Sequence, residues 1–225
     1  MTTRRAWHFV YAYYMLRNYS PDILAEYRLR DGSPSILGAT ETHDGPMVLC
    51  KSGLHWSEHA LDALQHARSP IVRRVRVWGD IQTQADKGIS RNREVLWQGD
   101  VSDVLRAFAR KQALSVIYLW DAPDGVKRYL ETGDLSPRAK DAARSATKDA
   151  VRNATWSSAR SAAMSADVAW GAASAVHEAR GAAAAADAAR GAVVAADAAR
   201  AAVVAAAAAR TMLDEMLLAH IGAVE

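Results

Sequence analysis

A unit of about ten residues recurs toward the C-terminus, as GAAAAADAAR (181–190), GAVVAADAAR (191–200) and AAVVAAAAAR (201–210), and it constrains the fold more than any other feature. From Ser136 to Gly222 about two residues in five are alanine. Alanine is the strongest helix former because it loses no side-chain entropy, and arginine ranks close behind, so this stretch predicts a helical tail. Ser136 can cap the start, and Pro137 at the first helical position gives up an N–H that would lack a partner anyway. A single helix over that length would run about 130 Å at 1.5 Å per residue, too long to bury itself against so small a globule. The tail therefore has to fold back into hairpins or pack against other chains.

The ten-residue period does not match a coiled coil. Ten residues advance a helix by about 1000°, so each repeat turns its arginine by about 80° around the axis. Arg180, Arg190, Arg200 and Arg210 spiral and form no stripe, while Asp187 with Arg190, and Asp197 with Arg200, stand three apart and can pair. A β-solenoid with five-residue sides also fits a period of ten, but alanine-rich, nearly unbranched sequence argues against it. The end of the tail carries larger apolar groups at helical spacing: Met212, Leu213, Met216, Leu217, His220 and Ile221. With Val193 and Val203 of the repeats, Leu213, Met216, Leu217 and Ile221 are the residues expected to join copies of the chain into a homo-oligomer.

Before Ser136 the chain has a different make-up. All seven tyrosines, five of seven tryptophans and the single cysteine lie there, as a packed core requires. The expected division is an α+β domain over 1–135 and an alanine-rich helical tail over 136–225. Charge is balanced in both parts, with 18 Lys/Arg against 16 Asp/Glu up to residue 135 and 10 against 9 beyond it. That small surplus forms no basic stripe, so nucleic acid is not the expected partner. One cysteine excludes an internal disulfide and suits a reducing cytoplasm. The apolar run after Arg4-Arg5 is broken by His8 and three tyrosines, unlike a signal peptide, and the tail is interrupted too often by arginine or aspartate to span a membrane.

Along the chain, residues 7–19 are apolar without alternation and fit a strand or a short helix. Residues 36–38 and 47–50 read as short strands flanking a turn at 42–46. Ser57 is placed to cap a helix over 58–68, with Ala60, Leu61, Leu64 and Ala67 on one face and Ser69-Pro70 as its stop. Residues 71–79 alternate as a half-exposed strand, a second strand is expected at 94–97, and a helix at 102–114. Residues 116–120 fit a strand or a last helical turn. Strands and helices intermixed with short links give an α+β domain.

The densest functional stretch is His43-Asp44-Gly45-Pro46 followed by Cys50-Lys51-Ser52-Gly53-Leu54-His55-Trp56-Ser57. These segments, with the strand 73–79, Asp86-Lys87 and Leu119-Trp120-Asp121-Ala122-Pro123, resemble a family of phage and bacterial proteins whose shared domain has no established activity. The likeness covers most of residues 36–135 and implies alanine- and arginine-rich C-terminal tails, a bacterial host cytoplasm, and no mechanism. G-L-H before a serine-capped helix is also similar to part of the ADP-ribosyltransferase-like fold. That likeness implies NAD held by His55 with help from Ser57, and Glu94 is the nearest candidate for its glutamate. His43, Asp44, Cys50, Gly53, Asp86 and Lys87 are the expected binding residues.

The same residues admit plainer readings. Cys50 and His55 suit a thiol–imidazole pair only if a base and an orienting group lie within reach. Cys50, His55, His59 and His66 form no zinc-type pattern, so no metal is expected. As structure, Cys50 belongs to the core, Gly53 permits the turn, His55 hydrogen-bonds backbone, and Asp86-Lys87 is a solvated turn. Arg73, Arg74, Arg76, Arg91 and Arg93 then form a solvated sheet face. The preferred reading is a phage- or prophage-type protein that binds and assembles through its tail and uses no cofactor. The alternative is an NAD-using enzyme centred on His55.

Overall fold

The structure is a computed structural model that describes residues 3–10, 38, 40–133, 141, 145, 164, 179–186, 188 and 198–222. It is an α+β protein, an antiparallel sheet with helices and a helical C-terminal segment. By backbone proximity the chain falls into two units, residues 1–101 with 217–225, and residues 102–216. The expected boundary at 135/136 lies outside the described residues.

The first unit is built on β1 (Arg4–Phe9), β2 (Thr40–Thr42), β3 (Leu54–Trp56), α1 (Ala60–Leu64), β4 (Ile71–Thr83) and β5 (Gly88–Asp100). The sheet order is β1-β4-β5-β2, and β3 pairs with β5 beside β2, all antiparallel. β4 and β5 form a long hairpin, and β4 is rich in β-branched residues, which favour a pleated, half-buried surface. Both strands outrun their expected bounds because bulges let pairing continue. Trp78 pairs with Asn92 and Ile81 with Ser90, so Gly79 and Asp80 together oppose Arg91. Gly79 has φ 87°, and a Cβ there would stand 2.8 Å from Asn92 Nδ2, so glycine is needed at this bulge. The second bulge is at Leu96, since Arg74 pairs with Trp97 and Val75 with Val95.

The strands nearly close on themselves. Trp7 and Ser57 exchange two backbone hydrogen bonds of 2.8 and 2.9 Å, so the strip that leaves β5 as β3 returns to β1. This protects an edge that would otherwise be open to other chains. Ala6, Trp56, Val75 and Val77 pack together inside, with Ile81 against them.

Three local expectations are corrected here. Residues 47–50 form a turn and no strand, with Val48 43% exposed and Ser52 N–H donating to Val48 O. Ser57 does not cap α1, because its backbone is committed to Trp7; His59 precedes the helix and gives no side-chain cap. Without a cap the helix shrinks to one turn and a half, though Ala60, Leu64 and Ala67 are buried as the spacing implied.

In the second unit, α2 (Ser102–Leu114) has the expected bounds. A 3₁₀ turn at Ile117–Leu119 follows, then α3 (Asp124–Thr132), where Pro123-Asp124-Gly125 is the helix entry and Gly133 the end. Ala109 and Ala113 of α2 pack with Ala122, Val126, Tyr129, Leu130 and Ala182. Residues 179–186 are helical, and Ala179, Ala182, Ala183 and Ala186 are buried at spacings of three and four. An alanine stripe of this kind lets helix axes approach closely. Ala186 packs with Val116, Leu119 and Trp120. The last helix, α4 (Ala198–Ile221), buries Ala209, Leu213 and Leu217 while Val204 is 68% exposed. No described helix is long and apolar enough to cross a membrane.

Candidate functional site

The two segments singled out by sequence meet at one end of the β5 strand. His43 N–H donates to Arg91 O at 2.8 Å, and Arg91 Nη1 returns 2.8 Å to His43 O, so β5 holds the turn by backbone and side chain. Across the turn, His43 Nε2 lies 3.1 Å from Ser52 Oγ and 3.3 Å from Pro46 O, and the Ser52 hydroxyl donates to that same carbonyl. His43 and Ser52 thus tie the two expected binding segments together. Asp44 is exposed.

Cys50 is exposed with φ 67°, which corrects its expected place in the core. An apolar position in an exposed left-handed turn has no core to enter. Gly53 does allow the turn: its φ is 121°, and a Cβ would sit 3.0 Å from Ile89 Cβ. The next residues, Leu54–Trp56, are the strand β3.

His55 pairs in register with Ile89. Burial lowers its pKa, a hydrogen bond with the Gly53 backbone opposes this, and Arg93, Lys87 and His66 add to the lowering. The imidazole is therefore neutral near pH 7. Ser57 is 2% exposed and fixed by Trp7. Glu94 is five residues from Ile89 along β5, about 17 Å at 3.4 Å per residue, and its carboxylate takes Arg76 Nη1 at 2.9 Å. His55, Ser57 and Glu94 are thus not brought together as one catalytic set, because the register spreads them along the sheet.

Asp86 and Lys87 form the tip of the β4–β5 hairpin, where Gln84 N–H donates 2.7 Å to Lys87 O. Asp86 also lies 3.6 Å from His66 Nε2. Among the described residues no group of three or more His, Cys, Asp or Glu side chains is arranged to hold a metal ion.

A cluster that sequence reasoning placed on the surface is buried. The Glu41 carboxylate receives Arg73 Nη1 at 3.2 Å and Arg93 Nε at 2.8 Å, with the side chains of Arg73 and Arg93 only 1% and 7% exposed. Arg73 Nε also donates to Gln98 Oε1 at 2.7 Å, and Arg93 Nη1 to His55 O at 2.8 Å. The expected solvated arginine face is therefore divided. Arg76 pairs with Glu94 and Arg91 with Asp80, while Arg74 lies 4.6 Å over the Trp7 ring. The available signal was Thr40-Glu41-Thr42, a lone carboxylate in an edge strand with two arginines placed to answer it.

His8 joins this cluster, opposite Arg73 in the β1–β4 register. Its pKa is held well below the ordinary value, first by burial and then by Arg93, Arg73 and His55.

Of the residues expected to join copies, Val193 lies outside the described residues, and of Val203 only the helical backbone is described. Leu213 and Leu217 are fully covered within the chain, while Met216 and Ile221 are half-buried. His220 meets Trp97 edge to face at 6.2 Å between ring centres. Neither a curated protein nor a solved structure matches the chain. Residues 32–107, from before β2 into α2, match the model of a family described as a domain of unknown function (DUF7666).

Proposed function

We propose that this chain is a non-catalytic binding and assembly protein of phage or prophage type, working in the bacterial cytoplasm, whose alanine-rich helices self-associate. The observation that supports this is Val204, 68% exposed on α4, while Leu213 and Leu217 of the same helix are buried. Self-association then runs through the valine-bearing first half of α4, with Val203 beside Val204, and not through Leu213 and Leu217. The turn fixed by His43, Ser52 and Arg91 is a rigid surface on which a protein partner can be recognised. Light scattering on the full chain across a hundredfold concentration range tests the reading. Mass that rises with concentration, and falls to the monomer in Val204→Asp, supports it; a monomer throughout overturns it.

A second reading, an NAD-using enzyme, draws on one observation: a half-buried His55 with Arg93 and Lys87 near it, a setting that favours a phosphate-bearing nucleotide. NAD raising the melting temperature of the wild type but not of His55→Ala supports it. No shift at millimolar NAD rules it out.

A further inference from the structure

His8 is a titratable group of the sheet unit to which the turn and the Glu41 ion pairs give no role. The residue is half-buried on β1, and its Nδ1 is shut off from solvent with no hydrogen-bond partner among the described residues. Charged or titratable groups surround it from each strand of the cluster: Arg73 on β4, Arg93 on β5 and His55 on β3, with Glu41 of β2 bound to both guanidiniums. On its own strand Arg4 and Arg5 are exposed. This is a place built for a neutral imidazole.

We propose that β1 is an acid-labile strand: protonation of His8 sets a third cation beside two guanidiniums that share the Glu41 carboxylate, and the sheet relieves the repulsion by releasing β1. The strand has six residues and ends the sheet order against β4, so it can leave without unpairing the β4–β5 hairpin; leaving also breaks the Trp7–Ser57 bridge that ties its other side. Release would bare the backbone edge of β4, a template for a strand from a partner.

The direction follows from linkage. Docked, His8 resists the proton; released, it binds it near the ordinary value of 6.5. The released form therefore gains as pH falls below that value, by up to about tenfold per pH unit. Above it, no proton distinguishes the two forms.

Hydrogen exchange on the full chain, expressed as protection factors at pH 7.5 and 5.5, tests this together with NMR titration of the His8 ring. Expected are a loss of about tenfold in protection over residues 4–9, retained protection in the paired middle of β4 and β5, and no β1 loss in His8→Phe. Equal loss in His8→Phe overturns the proposal, as does uniform loss across the sheet. If that variant does not fold, the wild-type titration decides. A His8 ring that titrates near 6.5 with β1 still protected overturns it, and β1 protection lost in step with ring protonation supports it.

Discussion

The two units keep their interiors by opposite means. In the sheet unit, strands far apart in sequence meet around buried charge, with Glu41 holding Arg73 and Arg93 beneath neighbouring strands. In the helical unit, alanines at helical spacing bury small flat surfaces against Val126, Tyr129 and Leu130. A buried ion pair is costly to break, because the partner left behind keeps its desolvation penalty without its compensation. An alanine contact is individually weak, but it leaves no room for anything larger. The first interior should fail when charge is removed, and the second when volume is added.

The largest effect is expected from Glu41→Gln, which leaves two buried guanidiniums without their carboxylate. A loss of about 3–5 kcal/mol in urea unfolding is predicted. Ala182→Leu should cost about 1–3 kcal/mol through overpacking, with residues 102–132 losing exchange protection. Acidification gives the next effect. His8 is held neutral in the fold, so stability is complete above the ordinary value of 6.5 and declines below it by up to about 1.4 kcal/mol per pH unit, until the depressed folded value is reached. His8→Phe should flatten that decline in a pH series of unfolding midpoints. The smallest effect is a gain: Cys50→Gly relieves a left-handed backbone at an exposed turn and should add up to about 1 kcal/mol, read as a higher melting temperature.

What the residue pattern revealed divides along the same line. The helix α2 and the cores of β4 and β5 were legible because their periodicity is local. Val75 and Val77 alternate with Arg74 and Arg76, and a serine stands at the start of α2. The ends of β4 and β5 were not, since bulges at Gly79–Asp80 and Leu96 depend on the partner strand. The burial of Arg73 was hidden for a similar reason. Its answering carboxylate is thirty-two residues away in Glu41, and only register brings them together. Ser57 looked like a cap because capping is a local rule, yet its backbone was claimed by Trp7, fifty residues earlier. The helix α3 had no place among the expected elements, although Val126, Tyr129 and Leu130 at helical spacing mark its buried face. Of the plain structural readings, Gly53 permits the turn and His55 hydrogen-bonds the Gly53 backbone, both local effects; the contact of His43 with Ser52 and the turning of Glu94 to Arg76 depend on the fold.

The claim on which this contrast rests is that Glu41 and Arg93 stabilise the sheet unit as a pair. A double-mutant cycle in urea, with Glu41→Gln, Arg93→Gln and the two combined, measures that directly. The account predicts that the double variant is more stable than the summed single losses allow, by about 1–3 kcal/mol. Losses that simply add would mean the two side chains act independently, and would contradict it.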